Sequence, residues 1–313
     1  MGRTEEQTKG IAKKRKRLKK GQKRLLLLVL PFVAYFVIFS YIPIAGWALA
    51  FMNYKPGIPL SETPFVWLDN FKYIFLFGDD VLNALKNTMV MSGLGLLTSP
   101  LPVIFAIVLT ELPGKKFKKV VQSVTTIPNF ISWVIVFSLA FSIFSNYGAL
   151  NTLLTRLGLI ELPLNVLGNR DIVWFFQCGL GIWKGLGWSS IVYFAAIAGI
   201  DAELYDAAMV DGAGRFQRIW HITVPGLRET FLVLLLLSVC NILSNGLEQY
   251  MVFYNALVAD RIEVLDYFIY RVGILKNDYS FSTAVGILKS GVSIIMLFTV
   301  NGISKKVRGY GIV

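Results

Sequence analysis

Few side chains in this 313-residue sequence are equipped for covalent or metal chemistry. It holds a single histidine, His221, and two cysteines, Cys178 and Cys240, none at a metal-ligand spacing. No G-x-x-x-x-G-K-[ST] phosphate loop, H-E-x-x-H or G-x-S-x-G occurs, and "GILKS" at 286–290 lacks the Gly-Lys pair. The chain is therefore expected to hydrolyse no nucleotide, to need no cofactor or metal, and to be no enzyme. What stands out is non-covalent chemistry placed in oily surroundings. In "LSVCNILSNGLEQYMVFYNAL", Ser238, Asn241, Asn245 and Glu248 recur at helical spacing, with Ser244 beside them. A second apolar stretch carries Trp183, Lys184 and Trp188. Amides, hydroxyls and flat aromatic faces together can recognise a ligand by hydrogen bonding and stacking. The same amides and hydroxyls can also simply join helices to one another.

Elements that hold such groups follow from composition. The chain is 55% hydrophobic and 16% charged, with a mean hydropathy of +0.60, where soluble domains carry about a quarter charged residues. Uncharged apolar runs long enough to cross a bilayer recur. They predict an all-α polytopic membrane protein with six transmembrane helices, near 25–51, 87–110, 121–145, 173–199, 229–254 and 284–304. Lys184, Glu248 and Lys289 fall inside these spans and should face protein or a wet cavity.

Net charge is +12, but 11 of the 31 Lys and Arg lie within residues 1–24, immediately before the first run. This pattern suits a basic cytoplasmic arm that touches anionic lipid, not nucleic acid. Residues 25–313 are then expected to form one six-span membrane domain. With the arm in the cytoplasm, the segments on its side carry 21 basic residues and those on the other side 8. That bias predicts both termini inside. The first run has no cleavage signal and is read as a retained span. Segments 53–70 and 146–170, with their proline, aromatic and turn residues, are expected to be structured caps.

Between spans four and five lies "YDAAMVDGAGRFQRIWHITVPG" (205–226), polar where a short turn would do. Asp201 can cap a helix, Asp211-Gly212 should break it, and Phe216, Ile219 and Trp220 share a face of a second short helix. Pro225 should disfavour helix at Val224 and mark the exit. The predicted shape is helix, tight glycine turn, helix.

This stretch resembles the so-called EAA loop of ATP-binding-cassette importer permeases. Asp206-Ala207-Ala208 matches its opening, with Asp where the family usually has Glu. Asp211-Gly212-Ala213 matches its centre and Ile222 to Pro225 its end. "IPNFISWVIVFSLAFSI" and "NYGALN" (127–143 and 146–151) are similar to permeases of carbohydrate-type importers, especially those for larger oligosaccharides. The resemblance implies that 201–226 is a coupling loop docking on a separate ATPase subunit, with Asp206, Ala207, Asp211, Gly212 and Arg215 at the contact. It implies further partners: a second permease in a heterodimer and an external solute-binding protein. It implies a bacterial plasma membrane location and a sugar or oligosaccharide as cargo. In maltose-type permeases the substrate site lies on spans four and five, which points to Trp183, Lys184, Trp188, Ser238, Asn241, Asn245 and Glu248. A secondary transporter and a membrane-bound enzyme of glycan or lipid chemistry remain as alternatives. The first should show repeated halves and the second a cluster of acid, base or metal ligands; neither is evident.

Overall fold

A computed structural model describes residues 20–76 and 78–308. Most of the basic arm, residues 1–19, therefore lies outside the described residues. Six helical segments are long and apolar enough to cross a membrane: 26–51, 79–111, 133–156, 173–198, 215–240 and 279–306. Among the described residues there is no strand, only an isolated bridge between Met52 and Phe65. The six-span all-α reading is borne out.

The chain divides into units Met1–Ala48 and Leu49–Val313. Helix α1 (Lys20–Phe36) opens the first and continues into a π turn at Val37–Tyr41. Leu27 and Phe32 of this helix and Phe39 of the turn are exposed. Such a helix needs lipid or another subunit for cover.

In the second unit, α2 (Asp69–Leu76) belongs to the first cap, where Asn70 donates to the carbonyls of Ala50 (2.8 Å) and Met52 (3.0 Å). Span two starts earlier than its apolar run, because Asp79 and Asp80 favour the first turn of α3 (Asp79–Thr98). A break at Ser99-Pro100 leads to α4 (Leu101–Glu111). The predicted third span is not one helix. α5 (Lys115–Thr126) ends in a 3-10 turn at Ile127–Phe130, and Ile131 and Ser132 are extended before α6 (Trp133–Phe144). Pro128 removes a donor there, and the Ser132 hydroxyl accepts from Ile135 N–H to start the new helix. The second cap holds α7 (Ala149–Arg156), where buried Asn151 bonds Ser145 and Leu164.

α8 (Val173–Ala198) is the long central span and packs against α4 and α5. The connector forms α9 (Ala202–Val210) and α10 (Arg215–Arg218). Pro225 does not end the helix, contrary to expectation. A π turn at Ile219–Thr223 lets Val224 N–H reach the Ile219 carbonyl, so Pro225 falls in the first turn of α11 (Val224–Cys240), where its missing donor is tolerated. Span five stops at Cys240 rather than running to 254. Residues 241–247 are non-helical, and α12 (Glu248–Phe253) follows.

The segment expected to be a loop after span five is instead interior. α13 (Ala259–Ile262), α14 (Leu265–Tyr270) and a π turn at Arg271–Leu275 bury Ile262, Val264, Leu265, Phe268 and Val272. Its apolar patches are too short to span but large enough to make core. Asn83 and Asn87 donate to the Asp260 carbonyl, and Thr88 Oγ1 accepts from Leu265 N–H, which fastens this segment to α3. The last helix, α15 (Tyr279–Arg308), packs on α11 and α14.

Candidate functional site

A cavity of about 680 Å³ opens between α3, α4, α8, α11 and the 241–250 segment. On α8 the lining recurs every four residues at Gln177, Gly181, Gly185 and Ser189, so one face of the helix forms the wall. A Cβ at Gly181 or Gly185 would meet nothing within 4 Å, so the two glycines leave a trough. The facing wall offers Ser238, Asn241, Ser244 and Asn245, with Ser92, Thr98 and Ser99 between. Trp188, Tyr193 and Tyr250 supply aromatic surface, and Trp188 is held edge-on by Phe130 at 5.7 Å.

The expected polar stripe does not share one helical face. The helix ends at Cys240, so Asn241 is its C-cap and Asn245 projects from non-helical backbone. Asn, Ser and Gly are poor helix formers, Gly246 has φ +85°, and Asp266 captures the freed N–H groups of Asn245 and Gly246. The break nevertheless brings Asn241, Ser244 and Asn245 to the cavity beside Ser238. Asn245 Nδ2 donates to Ser92 Oγ at 3.0 Å, and Ser92 donates to the Ile242 carbonyl. Gln249 donates to the Gln177 side chain at 2.8 Å.

Trp183, Lys184 and Glu248 stand outside the cavity lining. Trp183 is half-exposed on another face of α8. Lys184 donates to the carbonyls of Pro128 (3.1 Å), Asn129 (2.7 Å) and Ile131 (2.7 Å) and lies over the Trp133 ring. Its ammonium thus satisfies the broken third span, and Glu248 on α12 is exposed. Sequence reasoning missed Ser92, Gln177 and Gln249. Gln177 is an isolated amide in an apolar run, which is the signal that could have found it; Gln249 directly follows Glu248.

At the connector, Asp201 Oδ1 accepts from Glu203 N–H at 3.0 Å. Gly212 has φ +78°, and its N–H and that of Ala213 return to Met209 and Ala208. This is a Schellman turn, which calls for glycine at that point. Gly214 N–H donates to Gln217 Oε1 at 2.7 Å, and Tyr205 and Thr223 hydroxyls meet at 2.9 Å, closing the knob. Asp206, Ala207, Asp211, Gly212 and Arg215 are all exposed, and among the described residues none of the three charged ones forms an ion pair. Around them Met209, Val210, Phe216 and Trp220 are exposed too, Phe216 at 87%. His221 lies at the same end, its Nδ1 against the Gln217 carbonyl. Cys178 is partly buried beside the cavity and Cys240 is buried.

Apolar spans around a cavity lined by apolar, hydroxyl and amide groups, with a compact exposed knob between spans four and five, suit a membrane transport subunit. The chain belongs to the family of binding-protein-dependent transport system inner membrane components, whose profile matches residues 99–309. It is accordingly a permease subunit of an ATP-binding-cassette importer, not an enzyme. It is 39% identical to Protein LplB of Bacillus subtilis over 92% of this chain and 90% of that protein. It is 38% identical to the polygalacturonan/rhamnogalacturonan transport system permease YteP of the same organism, over 93% and 90%. Among solved structures, a bacterial transporter that imports the acidic polysaccharide alginate superposes with a TM-score of 0.84 at 33% identity, covering 92% of this chain and 97% of that one. The secondary transporter and the membrane enzyme drop out with this membership.

Proposed function

We propose that this permease carries an oligosaccharide, received from an external solute-binding protein, across a bacterial plasma membrane. The observation that carries the reading is the cavity itself, with hydroxyls and amides on two walls and aromatic rings between them. Hydroxyl-rich rings need that mixture. YteP and an arabinooligosaccharides transport system permease of Bacillus subtilis that is 29% identical to this chain support the same cargo class, as does the alginate importer, which is also known in complex with a pentasaccharide-bound periplasmic protein. Trp188, Ser238, Asn241 and Asn245 are the ligand-facing members of the proposed set. Trp183, Lys184 and Glu248 act at one remove, by shaping α8 and the third span.

The 201–226 knob is the coupling loop in this reading. It docks on an ATPase subunit through Asp206, Ala207, Asp211, Gly212 and Arg215, with Phe216 and Trp220 supplying apolar contact. A second permease completes the pathway as a heterodimer. The knob, the basic arm of residues 1–24 and both termini lie in the cytoplasm, and the arm rests on anionic lipid. Uptake tests the proposal. Proteoliposomes with both permeases, ATPase and binding protein should accumulate labelled oligosaccharides from polygalacturonan, arabinan or alginate digests in an ATP-dependent way. No accumulation of any of the three rejects it.

A further inference from the structure

The non-helical wall at 241–247 is held by a residue from a distant part of the chain. Asp266 in α14 directs its two carboxylate oxygens to different partners. Oδ2 accepts from the backbone N–H groups of Asn245 (3.0 Å) and Gly246 (3.1 Å), while Oδ1 pairs with the Lys289 ammonium from α15. Both side chains are only 18% exposed. Either charge alone would be costly at such depth. Paired, and with two N–H donors added, the carboxylate is well satisfied. Gly246, at φ +85°, allows successive N–H groups to converge on one oxygen.

The consequence falls on Asn245. Its backbone is clamped by Asp266 and its Nδ2 is committed to Ser92 Oγ, which is itself committed to the Ile242 carbonyl. The carboxamide is therefore fixed in one orientation. Asn245 lines the cavity, while its Oδ1 is itself buried and has no hydrogen-bond partner within the protein.

We propose that the Asp266–Lys289 pair positions Asn245, holding the break in span five so that this side chain stays set in the cavity wall that the translocating saccharide passes. This rests on the oligosaccharide reading of the cavity. Neither Asp266 nor Lys289 lines the cavity; both act through Asn245, which the pair connects to α14 and α15.

The test uses the complete importer, with labelled sugar retained per assembled, vanadate-trapped complex as readout, and the digest that drives uptake as probe. Asn245→Leu and Asp266→Asn should each weaken retention about three- to ten-fold, the usual range for one neutral hydrogen bond. The double variant should be no weaker than the worse single, because both act through one residue, Asn245. Should Asp266→Asn fail to assemble, Asp266→Glu keeps the charge for Lys289 but moves the carboxylate off the two N–H groups, and retention should again fall. Unchanged retention in the Asp266 variants that assemble, or effects that multiply in the double, overturns the inference alone. No retention by the unaltered importer overturns it together with the oligosaccharide reading.

Discussion

Three carbonyl oxygens, from Pro128, Asn129 and Ile131, receive all the hydrogen bonds described for the Lys184 ammonium. Lys184→Met removes those donors at once. A buried polar group left unsatisfied costs about 1–3 kcal/mol, so the variant importer should lose thermal stability in detergent. Sugar retention per assembled complex should change little, because Lys184 does not line the cavity. The sequence marks Lys184 as expensive in lipid, yet cannot reveal that its partners are carbonyls exposed by a break 53 to 56 residues away. At the knob the outcome is more legible. Asp211-Gly212 reads as a break, and Gly212 adopts φ +78°. Gly212→Val meets strain of about 1–3 kcal/mol at such a conformation. It should lower co-purification of the ATPase or the sugar moved per ATP, leaving the spans folded. Asp206→Lys should act likewise through charge reversal, and Asp206→Glu should be mild. Full association and uptake in both Gly212→Val and Asp206→Lys would remove the docking role.

Packing between elements is tight where α8 crosses α5. A Cβ at Gly187 would lie 2.3 Å from the Thr125 carbonyl oxygen and 2.6 Å from Thr126 N, both backbone atoms that cannot swing aside. Gly187→Ala should therefore reduce yield and lower the melting temperature of the purified complex, at a cost of about 1–3 kcal/mol for overpacking. Gly179→Ala on the same helix, where a Cβ meets nothing within 4 Å, should be neutral or stabilising. Equal behaviour of the two variants would contradict the tight crossing. Element boundaries show where sequence reading reaches its end. Apolar runs locate spans one, four and six because lipid rewards continuous apolar length. The break in span five is invisible to the same rule. Ser238, Asn241, Asn245 and Glu248 recur at helical spacing, and the open backbone is fixed by Gly246 at φ +85° together with Asp266, some twenty residues onward. The interior course of 258–272 is likewise hidden. Its fixings are carbonyls that Asn83 and Asn87 reach from α3.

For the molecule as a whole, sidedness is the main expectation still to be measured. In a chain with Cys178 and Cys240 replaced by serine, single cysteines at Ser61 and Gly214 are both at exposed positions. An impermeant thiol reagent applied to intact cells should label the first and spare the second. Labelling of both, or of Gly214→Cys alone, would reverse or abolish the proposed orientation.

The helix that leaves the knob does not stop before it reaches the cavity. Residues 215–240 run as one helical stretch through the π turn, and Asn241 at its far end is part of the cavity wall. At about 1.5 Å per residue this rod is about 39 Å long, so a tilt of about 5° applied at one end swings the other by about 3 Å. That displacement is close to the thickness of a sugar ring. The span thus joins knob and cavity wall through continuous helix, and in the proposed coupling role an angular stroke at its foot reaches the wall as a displacement of that size.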